Sequence, residues 1–214
     1  MKMANANWGR PEKIRAREET IIKKYQEYFG SFLCSDKHYW TMCGRCVAED
    51  GNLIRNCELD HLLKNDFIKA DQFHGVEILP EIHELNALYK DANWYVGDLY
   101  FSILNNIDNF SPGVINIDTN RMPRTAIAGV SNILSLLSEK TSEVMVIANF
   151  VMVNPNNHTI KSDIYKIVKL LEENQNYQHA INTTEWILHP NYYCYGGGEK
   201  ENTPMVSIIW VRKD

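Results

Sequence analysis

The sequence contains no long hydrophobic run. Its longest apolar stretch, residues 144–153, is interrupted by Asn149 and is far shorter than the roughly 20 residues that a membrane-spanning helix needs. The first residues, MKMANANWGRPEK, contain no apolar core of the kind that a secretory signal has. We therefore predict a cytoplasmic protein without a membrane partner.

The sequence also has no excess of basic charge. Its 22 lysines and arginines stand against 27 aspartates and glutamates, and the net charge of −5 over 214 residues argues against a general nucleic-acid or membrane-surface binder. The N-terminal segment is nevertheless net positive. Either it touches phosphates, or it is an amphipathic helix that docks on the body through Ile14, Ile21, Ile22 and Tyr25. We favour the docked helix.

Cysteine is too sparse and too irregularly spaced for a disulfide framework. The five cysteines are an odd number, which predicts reduced thiols. A structural zinc site usually has two closely spaced ligand pairs, and only Cys43 and Cys46 form one here. We expect these two thiols to be free and no metal to be bound.

Three common catalytic motifs are missing. The sequence has no G-x-S-x-G elbow, no G-x-x-x-x-G-K-[ST] loop and no G-x-G-x-x-G fingerprint. The sequence therefore argues against a serine hydrolase, a P-loop nucleotidase and an ordinary dinucleotide dehydrogenase.

What the sequence does contain is an alternation of β-prone runs and helical patterns. This alternation predicts a parallel sheet covered by helices, because parallel strands need a crossover connection. The predicted parallel strands are residues 38–42, 72–77, 93–97, 114–118 and 144–152. Among the histidines, His74 is the one most expected to be buried, because it lies inside a predicted strand.

Two further β-rich runs, Glu185–Tyr195 and Met205–Arg212, end the chain. The short loop between them predicts an antiparallel hairpin, and Pro190 predicts that the first of the two strands lies at an edge. The predicted fold is thus an α/β three-layer sandwich with a mostly parallel, twisted sheet.

Acidic residues stand at the ends of three successive predicted strands. Glu77, Asp98 and Asp118 follow one another at intervals of 21 and 20 residues. Ligands of open α/β sheets bind beyond the carboxyl ends of the strands. An ionised carboxylate only accepts hydrogen bonds, which suits the hydroxyls of a ribose or the amino group of an adenine.

The runs FHGVEI, NWYVGD and PGVINID, together with the closing hairpin, resemble the class I S-adenosylmethionine-dependent methyltransferases. The resemblance covers residues 32–214 and leaves residues 1–31 as an N-terminal helical arm. It implies a strand order of 3-2-1-4-5-7-6, with the last strand antiparallel, and S-adenosylmethionine as the cofactor. It also implies that Glu77 binds the ribose, that Asp98 with Gly97 binds the adenine, and that the loop with Thr41, Cys43 and Gly44 holds the methionyl group.

The same resemblance implies a catalytic role for Asp118 and Asn120, which follow the fourth strand. The motifs that would name the methyl acceptor are missing, because IDTNRMPR has no Pro-Pro-aromatic stretch and the chain has no Pro-Cys pair. The acceptor is left open between a small molecule and a nucleic acid reached through the basic arm, and an oligomer is compatible with the sequence.

Two alternatives remain. The strand-end residues Asp118, Thr119 and Asn120 fit a capped turn before a helix as well as they fit catalysis. The chain as a whole also fits a non-catalytic protein that binds a nucleotide or a partner on the same fold.

Overall fold

The computed structural model describes residues 11–42, 46–47, 54–77, 82–118, 123–151, 160–189, 193–195 and 205–213. The chain divides into two compact units, residues 1–113 and 114–214. Among the described residues, no helix combines the length and the apolar character needed to cross a membrane.

The first unit begins with a helical segment that is amphipathic. Ile21, Ile22 and Tyr25 are buried, while the ammonium groups of Lys23 and Lys24 pair with glutamates of the same segment. This arrangement confirms the docked helix at these three positions, whereas Ile14 is half-buried. The segment consists of α1 (Pro11–Arg17), a π-helical turn (Glu18–Ile22) that the sequence did not predict, and α2 (Lys23–Phe29).

Three strands of the first unit are parallel neighbours. Strand β4 pairs with β1 on one side and with β5 on the other. Helices follow the strands, as parallel pairing requires, and Asn56 caps the first of them by accepting a hydrogen bond from the Leu59 amide at 2.8 Å. The elements are β1 (His38–Met42), α3 (Cys57–Lys64), β4 (Phe73–Glu77), α4 (Ile82–Leu88), β5 (Asn93–Val96) and α5 (Leu99–Asn106).

A second, two-stranded sheet lies between β1 and α3 in the chain. Its antiparallel strands are β2 (Cys46–Val47) and β3 (Ile54–Arg55). Sequence patterns do not reveal this sheet, because two-residue strands are too short to show an alternating pattern.

The second unit is built on apolar strands that pack against helices. Strand β6 is parallel to β7, and β10 is antiparallel to β7. The penultimate predicted strand is divided into β8 and β9, which both pair with β10. The elements are β6 (Pro112–Asp118), α6 (Pro123–Lys140), β7 (Val144–Val151), α7 (Ile160–Glu172), α8 (Gln175–Thr183), β8 (Ile187–Leu188), β9 (Tyr193–Tyr195) and β10 (Met205–Arg212).

The strand order of the main sheet is β5-β4-β1-β6-β7-β10-β8, with β9 also paired to β10. Counted without the short β2, β3 and β9, this order is 3-2-1-4-5-7-6, and the seventh strand is antiparallel to both of its neighbours. The predicted topology and the predicted edge position of the strand before Pro190 are confirmed.

Candidate functional site

Glu77 and Asp98 stand at the carboxyl ends of two paired strands. Glu77 is the last residue of β4 and lies in register with Val96, the last residue of β5. The Gly97 amide donates to the Glu77 carbonyl at 3.0 Å and extends the pairing by one bond. Glu77 is half-buried and Asp98 is exposed, so the fold brings two acidic side chains to one edge of the first unit.

Gly97 occupies a backbone conformation that other residues avoid. Its φ of +145° lies in the region that favours glycine, and a Cβ placed on it would meet no heavy atom within 4 Å. Glycine is therefore favoured at position 97 by its backbone conformation and not by a lack of space for a side chain. The space that a side chain at position 97 would occupy is empty.

Asp98 also has a structural task. Its Oδ1 accepts hydrogen bonds from the amides of Tyr100 at 2.8 Å and Phe101 at 3.4 Å, which makes it the N-cap of α5. An ionised carboxylate has about four acceptor positions over two oxygens, so these bonds occupy only part of its capacity. The cap fixes where the carboxylate stands.

Thr41 belongs to a buried polar cluster that the sequence analysis missed. Its hydroxyl donates to Glu58 Oε2 at 3.4 Å, and the Tyr39 hydroxyl donates to Glu58 Oε1. Arg17 of the N-terminal segment places its Nε 4.0 Å from Glu58 Oε2. Glu58 is only 1% exposed, so the Thr41 side chain contacts a buried carboxylate of the protein itself.

Cys43 and Gly44, predicted to hold the methionyl group, lie outside the described residues, and so do the thiols of Cys43 and Cys46. Cys57 is disulfide-bonded, whereas Cys34 is an exposed free thiol. The expectation of reduced thiols is therefore wrong for Cys57. An odd number of cysteines excludes complete pairing, but it does not exclude a single bond.

Asp118 ends β6 in the second unit. It is 7% exposed and lies in register with Asn149 of β7. Asn120, the second predicted catalytic residue, lies outside the described residues. The structure thus places Asp118 at a strand end, as predicted.

A hydrogen-bonded chain of aromatic and imidazole rings crosses β1, β4 and β5. His74 Nε2 is 2.8 Å from His38 Nδ1, and His74 Nδ1 is 3.1 Å from the Tyr95 hydroxyl. The His74 ring also stacks on Trp40, with centroids 4.1 Å apart. His74 is fully buried, as expected from its place in a strand.

Burial makes His74 a source of pH-dependent stability. It lowers the pKa of His74 from 6.5 to about 3, and the neighbouring His38 adds to this effect. In the unfolded chain the His74 imidazole is protonated below about pH 6.5, whereas in the folded chain it is protonated only below about pH 3. The contribution of His74 to stability is thus present above pH 6.5 and is lost as the pH falls toward 3.

We expect the free energy of unfolding to fall more steeply with acidification in the wild type than in His74→Gln. The difference in slope should be about 1.4 kcal/mol per pH unit between roughly pH 4 and 6, measured by urea unfolding over that range. His179→Gln changes an exposed histidine and should keep the wild-type slope. Equal slopes for His74→Gln and the wild type would contradict this prediction.

Among the described residues, no group of three or more histidines, cysteines and acids is arranged to hold a metal ion. The main sheet has the strand order 3-2-1-4-5-7-6, and acidic residues lie at the ends of successive strands. The chain has a divergent class I methyltransferase-like fold.

Comparisons with solved structures find similar folds at low sequence identity. The chain is similar to a fibrillarin pre-rRNA processing protein of Methanococcus jannaschii, with 12% identity and a TM-score of 0.49 over 84% of this chain and 68% of that chain. It is similar to an S-adenosylmethionine-dependent methyltransferase from Anabaena variabilis, with 10% identity and a TM-score of 0.49 over 92% and 86% of the two chains. An rRNA methylase from Streptococcus thermophilus has 8% identity and a TM-score of 0.46 over 90% and 97%. No protein-family model and no curated protein matches the chain significantly.

Proposed function

We propose that this protein binds S-adenosylmethionine beyond the carboxyl ends of β4 and β5 and transfers its methyl group to an acceptor. The observation that carries the proposal is the position of Glu77 and Asp98 at the carboxyl ends of two paired strands, beside the open turn at Gly97. Ligands of open α/β sheets bind at such strand ends. The acceptor, a small molecule or a nucleic acid, and the cytoplasmic location stay predictions.

The chain's own residues have the chemistry to bind and orient the adenosine part of this cofactor. The Glu77 carboxylate accepts the two ribose hydroxyls, and the part of the Asp98 carboxylate that does not cap α5 accepts the adenine amino group. The absence of a side chain at Gly97 lets the ring approach the backbone. When bound, the cofactor supplies an electrophilic methyl group on a positively charged sulfur.

Calorimetry with the wild-type protein tests this proposal without knowledge of the acceptor. We expect saturable heats of binding with S-adenosylmethionine and with S-adenosylhomocysteine, because the two share the adenosine that Glu77 and Asp98 recognise. Adenine alone should bind more weakly than either. No heat at millimolar cofactor would overturn the proposal and leave the fold alone.

A second candidate function is binding without turnover. One observation favours it: the residues that end β6 and follow it, IDTNRMPR, contain no Pro-Pro-aromatic acceptor motif. Incubation with methyl-labelled cofactor and mixed small-molecule or RNA acceptors separates the two functions. Cofactor binding without release of S-adenosylhomocysteine would support the non-catalytic one.

Asp118 is proposed to act on the methyl acceptor and not to bind the cofactor. We therefore expect Asp118→Asn to leave the calorimetric affinity for S-adenosylmethionine within about twofold of the wild type, while any turnover falls. The variant keeps the size of the buried side chain, so thermal unfolding should confirm that it folds. A tenfold or greater loss of cofactor affinity would assign Asp118 to the cofactor instead.

A further inference from the structure

The His38, His74 and Tyr95 side chains lie on one face of three neighbouring strands. Residues two apart on a strand share a face, and so do register partners on adjacent strands. His74 is the register partner of Trp40, which is two residues after His38. Tyr95 is the register partner of Val76, which is two residues after His74. The three polar rings therefore form a diagonal row across β1, β4 and β5, and two hydrogen bonds connect them.

Packing holds the central ring of this row in one orientation. The His74 ring stacks on Trp40 with centroids 4.1 Å apart, and the Phe110 ring lies 4.8 Å away. The Phe110 ring also lies 5.0 Å from the His38 ring. His74 is fully buried, and a close-packed interior leaves no room for such a ring to turn over. Each nitrogen of His74 therefore keeps its own partner.

A neutral His74 makes its two hydrogen bonds depend on each other. One nitrogen of a neutral imidazole donates and the other accepts. If His74 Nε2 donates to His38 Nδ1, then His74 Nδ1 accepts from the Tyr95 hydroxyl. If His74 Nε2 accepts, then Nδ1 donates to the Tyr95 oxygen. The row therefore has two hydrogen-bond arrangements, which run in opposite directions.

The protonation state of His38 decides between these arrangements. With a neutral His38, Tyr95 is the better donor, because a phenol proton is more acidic than the N–H proton of a neutral imidazole and an imidazole nitrogen is more basic than a phenol oxygen. Burial raises the pKa of Tyr95, so the hydroxyl keeps its proton. In a protonated His38 both nitrogens are donors, and His74 Nε2 then has to accept.

We infer that the row is a proton relay in which protonation of His38 reverses both hydrogen bonds. The His38 Nδ1–H bond forms while the His74 Nε2–H bond breaks. The His74 Nδ1–H bond forms while the Tyr95 O–H bond breaks, and the oxygen of the half-buried Tyr95 takes a proton from solvent. One proton thus enters at Tyr95 and one positive charge appears on His38, while His74 stays neutral.

The charged groups around His38 set the pH at which the relay reverses. Burial lowers the pKa of His38, whereas the carboxylates of Asp71 and Asp36 act to raise it. Asp71 belongs to the turn before β4, and Asp36 precedes β1. The adjacent cation, Lys37, directs its ammonium group to the Ser111 hydroxyl at 3.3 Å. His38 therefore titrates below its ordinary range, with two acids that stabilise its charged form.

Nitrogen NMR of the histidine rings in the full chain tests this inference, because the shift of each ring nitrogen shows whether it carries a proton. We expect His74 to carry its proton on Nε2 above the titration midpoint of His38. Below that midpoint, but above the pKa of His74 at about 3, the proton should be on Nδ1, so the two nitrogen resonances exchange places. The resonance of the Tyr95 ring carbon that bears the hydroxyl should shift at the same midpoint.

The wild-type titration alone decides the question. If His74 kept the same nitrogen protonated while His38 titrated, the row would be a fixed structural chain and the inference would be overturned. The same conclusion would follow if His74 gained a second proton at the midpoint of His38. The measurement does not use the cofactor and is independent of the proposed function.

His38→Gln removes the titrating group and keeps a side chain that can form hydrogen bonds. In this variant the His74 nitrogens should not exchange over the pH range in which His38 titrates in the wild type. His61→Gln is the matched control, because His61 is also partly buried with a pKa lowered by burial, but lies on α3 at 3.7 Å from Glu18. The exchange should persist in His61→Gln. Exchange in His38→Gln, or its loss in both variants, would contradict the relay.

Discussion

Replacing Arg17 by leucine is expected to lower the free energy of unfolding by about 3 kcal/mol, because it removes a guanidinium that pairs with the buried Glu58 carboxylate. Both side chains are largely buried, with exposures of 10% and 1%, and Arg17 Nε is 4.0 Å from Glu58 Oε2. The Tyr39 and Thr41 hydroxyls still donate to the carboxylate, so the loss should fall at the lower end of the range for broken buried pairs. Urea unfolding at neutral pH measures it.

Two companion variants identify the cause of this loss. Arg15→Leu changes an exposed arginine of the same helix and should alter stability by less than about 0.5 kcal/mol. Adding Glu58→Gln to Arg17→Leu should restore part of the lost stability, since a neutral amide needs no counter-charge. If Arg15→Leu destabilised as much as Arg17→Leu, helix packing and not the buried charge would be responsible.

The strands and their parallel arrangement were predictable from the sequence because each strand is marked by its composition, whereas the order of the strands was implied by the resemblance to the class I methyltransferases. Residues 144–150 of β7 are buried on both faces, and the regular alternation with helices leaves few possible topologies. Pro190 identified an edge strand because proline removes a ladder hydrogen bond. The division of that strand into β8 and β9 was not predicted, because it depends on which residues of β10 each segment pairs with.

The buried polar clusters were not readable, because their partners are far apart in sequence. Glu58 stands four residues before the buried Leu62 on α3, and that spacing was the available signal that an acid lies on the apolar side of the helix. Its cation, Arg17, is on another helix. Asn149 was visible as an interruption of an apolar strand, but its bond to Ser207 depends on a register between β7 and β10 that the sequence does not determine.

The sequence predicted those parts of the candidate site that lie at the ends of strands. Glu77 and Asp98 lie at the carboxyl ends of β4 and β5, because their spacing corresponds to one strand, one turn and one helix. The part of the site that precedes α3 has no regular pattern in the sequence, and Cys43 and Gly44 lie outside the described residues. The disulfide at Cys57 was missed because cysteine spacing shows a framework but not an isolated bond.

Replacing Glu77 by alanine is expected to weaken S-adenosylmethionine binding at least about tenfold. A carboxylate that accepts one or two ribose hydroxyls contributes about 1.5–3 kcal/mol for each bond, and a loss of 1.4 kcal/mol is already tenfold in the dissociation constant. Calorimetry measures the affinity, and thermal unfolding of the variant shows that the fold survives the loss of this half-buried side chain.

Asp98 needs a variant that separates its two tasks. Asp98→Ala should weaken cofactor binding less than Glu77→Ala does, but it also removes the cap of α5, which is worth about 1 kcal/mol of stability. Asp98→Asn keeps a good cap and changes the acceptor chemistry alone, so it should weaken binding without a loss of stability. Asp91→Ala is the matched control, since this exposed acid precedes β5 and lies at the opposite end of the strand. If the dissociation constants of Glu77→Ala, Asp98→Asn and Asp91→Ala all equalled that of the wild type, the two strand-end acids would be turn residues and the cofactor would bind elsewhere.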